Sequence, residues 1–300
     1  MYLQTLLMRN ILLLFLLSFG HFGMAQKLPS YNLFLFDVLQ GEKTYSLARP
    51  KWLNQFNPDG YNNQPYFMSD DELYITVQMP WDTTQTDIYA LNISTLTFAP
   101  VTNTPESEYS AKRVPSSNDF SVVRVDADTA KTQRLWRYPI ERNGKGKEVF
   151  KYYQNVGYYH WCSPENVLMF MVGKPNNYMQ STKLGSENTV RYSYEPGRCF
   201  LPNGNQVAYV EKTNEDDWYI KKLNPETSGS EVVVQTLNHS EDFVILPDGT
   251  YLMGKGSGLY QFTPKKDKEW VQIAELKSYG IKRIERMTVN SVGKLVMVTK

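Results

Sequence analysis

Tyr61–Pro105 reads YNNQPYFMSDDELYITVQMPWDTTQTDIYALNISTLTFAPVTNTP. It holds four short β-type runs broken by turn residues. Asn62–Met68 leads into the polar turn Ser69-Asp70-Asp71-Glu72, and Leu73–Gln78 then alternates apolar and polar side chains. After the loop Met79–Thr86 comes Asp87–Ile93, a turn at Ser94-Thr95, and Leu96–Thr102. Strands separated by turn signals at this spacing point to an all-β sandwich, barrel or propeller. Repetition of the whole unit decides for the propeller.

The turn before the second strand anchors each repeat. These turns are Ser69-Asp70-Asp71, Pro115-Ser116-Ser117-Asn118, Ser163-Pro164-Glu165-Asn166, Pro202-Asn203-Gly204-Asn205, Pro247-Asp248-Gly249 and Ser291-Val292-Gly293. The strands that follow open at Leu73, Phe120, Val167, Val207, Tyr251 and Leu295, at offsets of 47, 47, 40, 44 and 44 residues. A period in the forties with four strands is the size of one propeller blade. The second strands are nearly continuous apolar runs, as strands covered on both faces are. Third strands recur at Asp87–Leu91, Arg134–Tyr138, Asn177–Ser181, Asp217–Lys221 and Leu259–Phe262. Fourth strands recur at Phe98–Thr102, Val149–Tyr153, Val190–Tyr194, Glu231–Thr236 and Trp270–Leu276.

The sixth unit stops after its second strand, at Lys300. Asn32–Val38 matches a third strand and Thr44–Ala48 a fourth. The two ends of the chain are therefore expected to share the last blade, because an open ring would leave two unpaired strand edges. The fold class is an all-β, six-bladed propeller, with residues 26–300 as one domain.

Residues 1–25 read as a secretory signal. Arg9-Asn10 precedes the apolar run Ile11–Phe19, and Gly23-Met24-Ala25 follows, with cleavage after Ala25. Met8 offers an alternative start with a tidier n-region. The run is too short for a transmembrane helix, which needs about 20 residues. Periplasmic or secreted localisation follows, without a membrane span. Lys and Arg total 32 against 31 Asp and Glu, for a net charge of +1. That balance argues against a nucleic-acid groove, which needs a basic excess. Aromatic residues make up 14% of the chain and include 21 Tyr, a type suited to strands and wet binding faces.

Catalytic constellations are scarce. His160, Cys162 and Cys199 could be imagined as a metal set, but the tight spacing of zinc ligands is missing. Export permits a disulfide between Cys162 and Cys199, while two buried thiols are the simpler state. Gly254-Lys255-Gly256-Ser257-Gly258 fits a hairpin turn better than a phosphate loop. Asp126-Ala127-Asp128-Thr129 lacks the further ligands of a calcium loop. No cofactor and no metal are expected.

Ser163-Pro164, Pro247-Asp248-Gly249, Pro202-Asn203-Gly204, Asp87-Ile88-Tyr89 and the closing Val101-Thr102-Asn103-Thr104-Pro105 carry a resemblance. The chain resembles the TolB-like, WD40-like family with its Pro-Asp-containing (PD40) repeat, over about 270 residues, with no intact S-P-D-G. The resemblance implies a six-bladed propeller of the bacterial cell envelope that binds other proteins. The family's namesake has a further N-terminal α/β domain without a counterpart here.

The residues leading into each first strand line one mouth of a propeller's channel. They are Tyr61, Asn62 and Asn63; Glu108 and Tyr109; Tyr158 and Tyr159; Arg198; Glu241 and Asp242; and Arg283 with Glu285. They differ in every blade, which suits one asymmetric partner. The expected function is a non-catalytic binding module that engages an envelope protein or a wall-associated assembly through this mouth. The alternative is a carbohydrate-active or other hydrolytic enzyme using the mouth carboxylates. A structural subunit of an outer-membrane complex is a third possibility.

Overall fold

The computed structural model describes residues 27–142 and 144–300; the signal-peptide reading of 1–25 lies outside them. The chain begins with β1 (Asn32–Gln40) and β2 (Tyr45–Trp52). Blade 1 is β3 (Tyr61–Phe67), β4 (Glu72–Gln78), β5 (Asp87–Asn92) and β6 (Phe98–Pro100). Blade 2 is β7 (Ser107–Arg113), β8 (Asp119–Val125), β9 (Gln133–Pro139) and β10 (Lys147–Glu148). Blade 3 is β11 (Val156–Trp161), β12 (Asn166–Met171), β13 (Tyr178–Lys183) and β14 (Thr189–Tyr194). Blade 4 is β15 (Pro196–Asn203), β16 (Gln206–Lys212), β17 (Trp218–Leu223) and β18 (Ser230–Gln235). Blade 5 is β19 (Phe243–Ile245), β20 (Tyr251–Lys255), β21 (Gly258–Phe262) and β22 (Val271–Glu275). Last come β23 (Ile284–Val289) and β24 (Lys294–Thr299).

The sixth sheet has the order β2-β1-β24-β23, so the two ends of the chain share it. Leu33 pairs with Val298 and Phe36 with Leu295, both antiparallel. Six four-stranded antiparallel sheets form a six-bladed propeller. Among the described residues there is no α-helix, only a 3-10 turn at Lys277–Tyr279.

The core is divided among the blade interfaces, and the second strands show why. Their side chains alternate in direction. In β12, Val167 and Met169 face the blade 2–3 cluster, while Leu168 faces the blade 3–4 cluster. In β16, Val207 and Tyr209 face blade 3, and Ala208 and Val210 face blade 5. In β24, Leu295 and Met297 face blade 5, and Val296 and Val298 face blade 1. Each second strand is thus apolar on both faces because both are covered. Burying one Leu- or Phe-sized side chain contributes about 1.5–3 kcal/mol, so these clusters dominate the stabilisation of the ring.

One outer strand departs from expectation. Blade 2 ends in β10 at Lys147–Glu148, not at Val149–Tyr153. Val149 still donates its N–H to the Leu135 carbonyl at 2.8 Å. Phe150 then turns inward and is buried in the blade 2–3 cluster, with Tyr153 packed beside it. The apolar run that resembled an edge strand is a lid over the seam between two blades.

Candidate functional site

The first strands surround the propeller axis. Their starts define an upper end of the channel, and their turns into the second strands define a lower end. Five of them carry a β-bulge: the register slips between Asn63 and Tyr66, Tyr109 and Lys112, Val156 and Tyr158, Pro196 and Phe200, and Ile284 and Arg286. A bulge inserts residues into one strand and re-aims the side chains beyond it. In blades 1 and 2 the bulges are interlocked. Gln64 and Ser110 both take positive φ, at 53° and 56°. The Gln64 Oε1 accepts from the Ser110 N–H at 3.1 Å and from the Thr76 hydroxyl at 2.9 Å.

The upper end gathers part of the expected rim. Arg198 Nε lies 2.6 Å from Asp242 Oδ2 and 3.3 Å from Glu241 Oε1. Glu241 also meets Lys212 Nζ at 2.7 Å. The Arg198 Nη2 donates to the Glu285 carbonyl at 2.9 Å, reaching across blade 5. Arg283 Nε donates to the Glu285 carboxylate at 2.6 Å. Arg286 Nη2 donates to the Tyr158 hydroxyl at 2.8 Å, a bond from blade 6 to blade 3 on the opposite side of the ring. Tyr61 sits in the same group, its hydroxyl pushed up by burial and sensing Arg286, Tyr158 and Tyr109. These struts bar the axis at the upper end.

Four other residues expected at the rim lie in the walls. Asn62 is fully buried in a seam that joins blade 6 to blade 1. Its amide donates to the Tyr31, Asn57 and Gly60 carbonyls at 3.0, 2.8 and 3.1 Å, and its Oδ1 accepts from Asn57 Nδ2 at 3.1 Å. Asn54, in the same seam, accepts from the Leu33 N–H at 2.8 Å. A Cβ on Gly60 would stand 2.0 Å from the Asn57 side chain, so only glycine fits there. Asn63 is buried and accepts from the Gln64 N–H at 2.7 Å. Tyr159 is fully buried, its hydroxyl 2.6 Å from the Ser121 carbonyl and 2.9 Å from that of Ser110. Glu108, with 0% exposure, lies between blades 1 and 2 against Thr104 and Tyr138. Burial, aided by the Asp87 charge, raises its carboxyl to about 7. Its Oε2 has no hydrogen-bond partner.

The lower end is open. A cavity of about 870 Å³ runs down the axis from Tyr158, Arg198, Asp242 and Arg286. Its rim consists of turns between first and second strands, at Ser69-Asp70, Pro115, Gly204-Asn205 and Asn290-Ser291. Lys112 and His160 line its wall, and neither was singled out as binding. The reason lies in the β7 bulge. Counted by alternation, Lys112 shares a face with Glu108, but the extra residue after Tyr109 reverses the parity. Glu108 therefore enters the blade seam and Lys112 the channel. A lone Lys inside an inner strand was the available signal.

Cys162 and Cys199 are free thiols. Cys162 lies just beyond β11, whereas Cys199 is mid-strand in the β15 bulge, its Sγ 3.4 Å from the Phe243 carbonyl. Burial raises them to about 11 and about 12, so both are poor nucleophiles at neutral pH. His160 is pulled down to about 3 by burial and by the Lys112 charge, and is neutral. Among the described residues no group of three or more His, Cys, Asp or Glu is arranged to hold a metal ion. No helix among them is long and apolar enough to cross a membrane.

No family model matches the chain, and no curated protein does. Solved structures do. A putative TolB from Agrobacterium tumefaciens superposes with a TM-score of 0.63 at 10% identity, covering 90% of this chain and 98% of that one. A chain of a nidogen/laminin complex gives 0.63 at 11% identity, covering 90% and 99%. TolB from Acinetobacter baumannii gives 0.53 at 11% identity; the match covers 89% of this chain and 63% of that longer one. At these identities the likeness is one of fold: the chain is a six-bladed β-propeller similar to the TolB propellers.

Proposed function

We propose that this chain is an exported, non-catalytic binding propeller that docks a protein partner of the cell envelope on its upper face. One observation carries this reading. The connections on that face present Trp81, Tyr194 and Tyr279 to solvent, with Trp81 77% and Tyr194 59% exposed. Trp and Tyr are the side chains most enriched at the centres of protein interfaces. The paired charges of Arg198, Glu241, Asp242, Arg283 and Glu285 lie on the same face, so apolar anchors and polar groups occur together there. The TolB-like fold supports the envelope setting by analogy.

In-cell crosslinking followed by mass spectrometry tests the reading. The double variant Trp81→Ala/Tyr194→Ala and the charge reversals Arg198→Glu and Arg283→Glu should each reduce the crosslinked partner. An unchanged partner set in all three would overturn the reading.

Hydrolysis by mouth carboxylates has one observation in its favour, the raised Glu108 carboxyl. Against it, Glu108 is walled off, and Glu241, Asp242 and Glu285 are each tied to a cation. Activity on envelope glycans that is lost in Glu241→Gln or Asp242→Asn would favour the enzyme.

A further inference from the structure

We propose that the lower cavity binds a small organic anion, whose carboxylate or phosphate group sits between Lys112 and Arg286. Four cations face this cavity, Lys112, Arg113, Arg198 and Arg286, against two carboxylates, Asp70 and Asp242. Asp242 is taken up by Arg198, and Asp70 lies at the rim, accepting from the Ser291 hydroxyl at 2.8 Å. Lys112 and Arg286 form no salt bridge among the described residues, and Asp242 acts on both only through its longer-range charge.

Lys112 is the sharper case. Its Nζ has no hydrogen-bond acceptor among the described residues, and it lies over the Tyr159 ring, 5.7 Å from Nζ to the centroid. It stands on blade 2, yet it feels the charges of Arg286 on blade 6 and Asp242 at the start of blade 5. The ammonium therefore lies near the axis, inside the cavity. An unanswered charge in such a place is costly, and burial lowers Lys112 to about 8. Arg286 spends one N–H on Tyr158, and its guanidinium lies 5.2 Å from the centre of that ring. An anion between the two would answer both charges with charge-assisted hydrogen bonds.

The rest of the cavity fits a molecule larger than a bare ion. About 870 Å³ is within the range of small-ligand sites. Tyr66, Tyr158 and Trp161 offer apolar faces, while neutral His160 and Thr288 offer polar contacts. The opening lies on the face opposite the proposed protein-docking surface, and Arg198 and Asp242 are shared between the two sites.

Isothermal titration of the chain at fixed ionic strength tests the proposal. Inorganic phosphate and citrate separate the two anion chemistries, and glycerol is the uncharged control. At least one anion should bind in the millimolar range or tighter, and glycerol should not. Lys112→Met should weaken that binding about tenfold or more, the worth of one charge-assisted hydrogen bond, and Lys112→Arg should largely retain it. Thr288→Glu, which places a carboxylate in the cavity, should abolish it. No heat with either anion, or unchanged binding in Lys112→Met and Thr288→Glu, would overturn the proposal.

Discussion

The two ends of the channel are built from the same six inner strands and treat charge in opposite ways. At the upper end Arg198, Arg283, Glu241, Asp242 and Glu285 answer one another within the chain. In the cavity below, Lys112 has no hydrogen-bond or salt-bridge partner among the described residues, only the Tyr159 ring 5.7 Å from its Nζ. A closed set of ion pairs holds strands in place and leaves little for a small ligand to gain. An unanswered charge in a cavity is a standing cost that only a ligand or a proton loss removes. The comparison separates charges that serve the fold from charges that await a partner.

The wall between the two ends should give the largest response. Phe200 is fully buried in the blade 3–4 cluster. Phe200→Ala should cost about 3–5 kcal/mol, read as a lower urea midpoint, and should loosen both ends together. A loss confined to one end would break the view of the inner strands as one body.

Glu108 sharpens the comparison with a third way of handling charge, burial without a counter-ion. Its carboxyl rises from 4.5 to about 7 in the folded chain. Between those values the folded state binds more protons than the unfolded state, so stability falls as pH rises from about 4.5 to about 7. Asp87, raised to about 6, adds to the same slope. Glu108→Gln should flatten it and gain about 2 kcal/mol at pH 8 relative to the native chain, with little change at pH 4. Thermal unfolding at both pH values is the check.

Asp242→Asn should act on stability chiefly through Arg198. Arg198 would keep Glu241 and the Glu285 carbonyl, so the loss should be about 1.5 kcal/mol, the low end for a charged hydrogen bond. A larger loss would mean that Glu241 does not answer Arg198 by itself.

Lys112 should show no loss at all. Without a partner to lose, Lys112→Met removes a buried charge and should hold or raise stability at pH 7. The native chain should gain stability as pH rises from about 8 to 10.5, where the unfolded state holds the extra proton. In Lys112→Met that rise should shrink. A large loss at pH 7 would show that Lys112 serves the fold after all.

The repeat was legible because its signals are local. Pro, Asn, Asp and Gly mark the turns, and apolar runs mark the second strands, within a few residues of each other. Even the closure could be read, since Asn32–Val38 supplied the strand that Leu295–Val298 lacked. The site was legible only in part. Arg198, Asp242, Arg283 and Glu285 stand together as their positions at the strand starts implied. Asn62, Tyr159 and Glu108 look the same in the alternating pattern but turn into the seams between blades. The inserted residues that turn them carry no turn signature: Gln64 and Ser110 take positive φ without being glycine. Val149–Tyr153 misled for a related reason, because an apolar run can cover a seam as readily as extend a sheet.

The sequence by itself determined the number of blades, their order and the join between the two ends, because each of these follows from neighbours along the chain. Only the tertiary structure decided which end of the channel is barred and which charges go unanswered. Arg286 and Tyr158 are 128 residues apart, and Lys112 faces charges from blades 5 and 6. Such meetings depend on how six bulged strands converge on one axis, and strand-by-strand alternation does not encode that convergence.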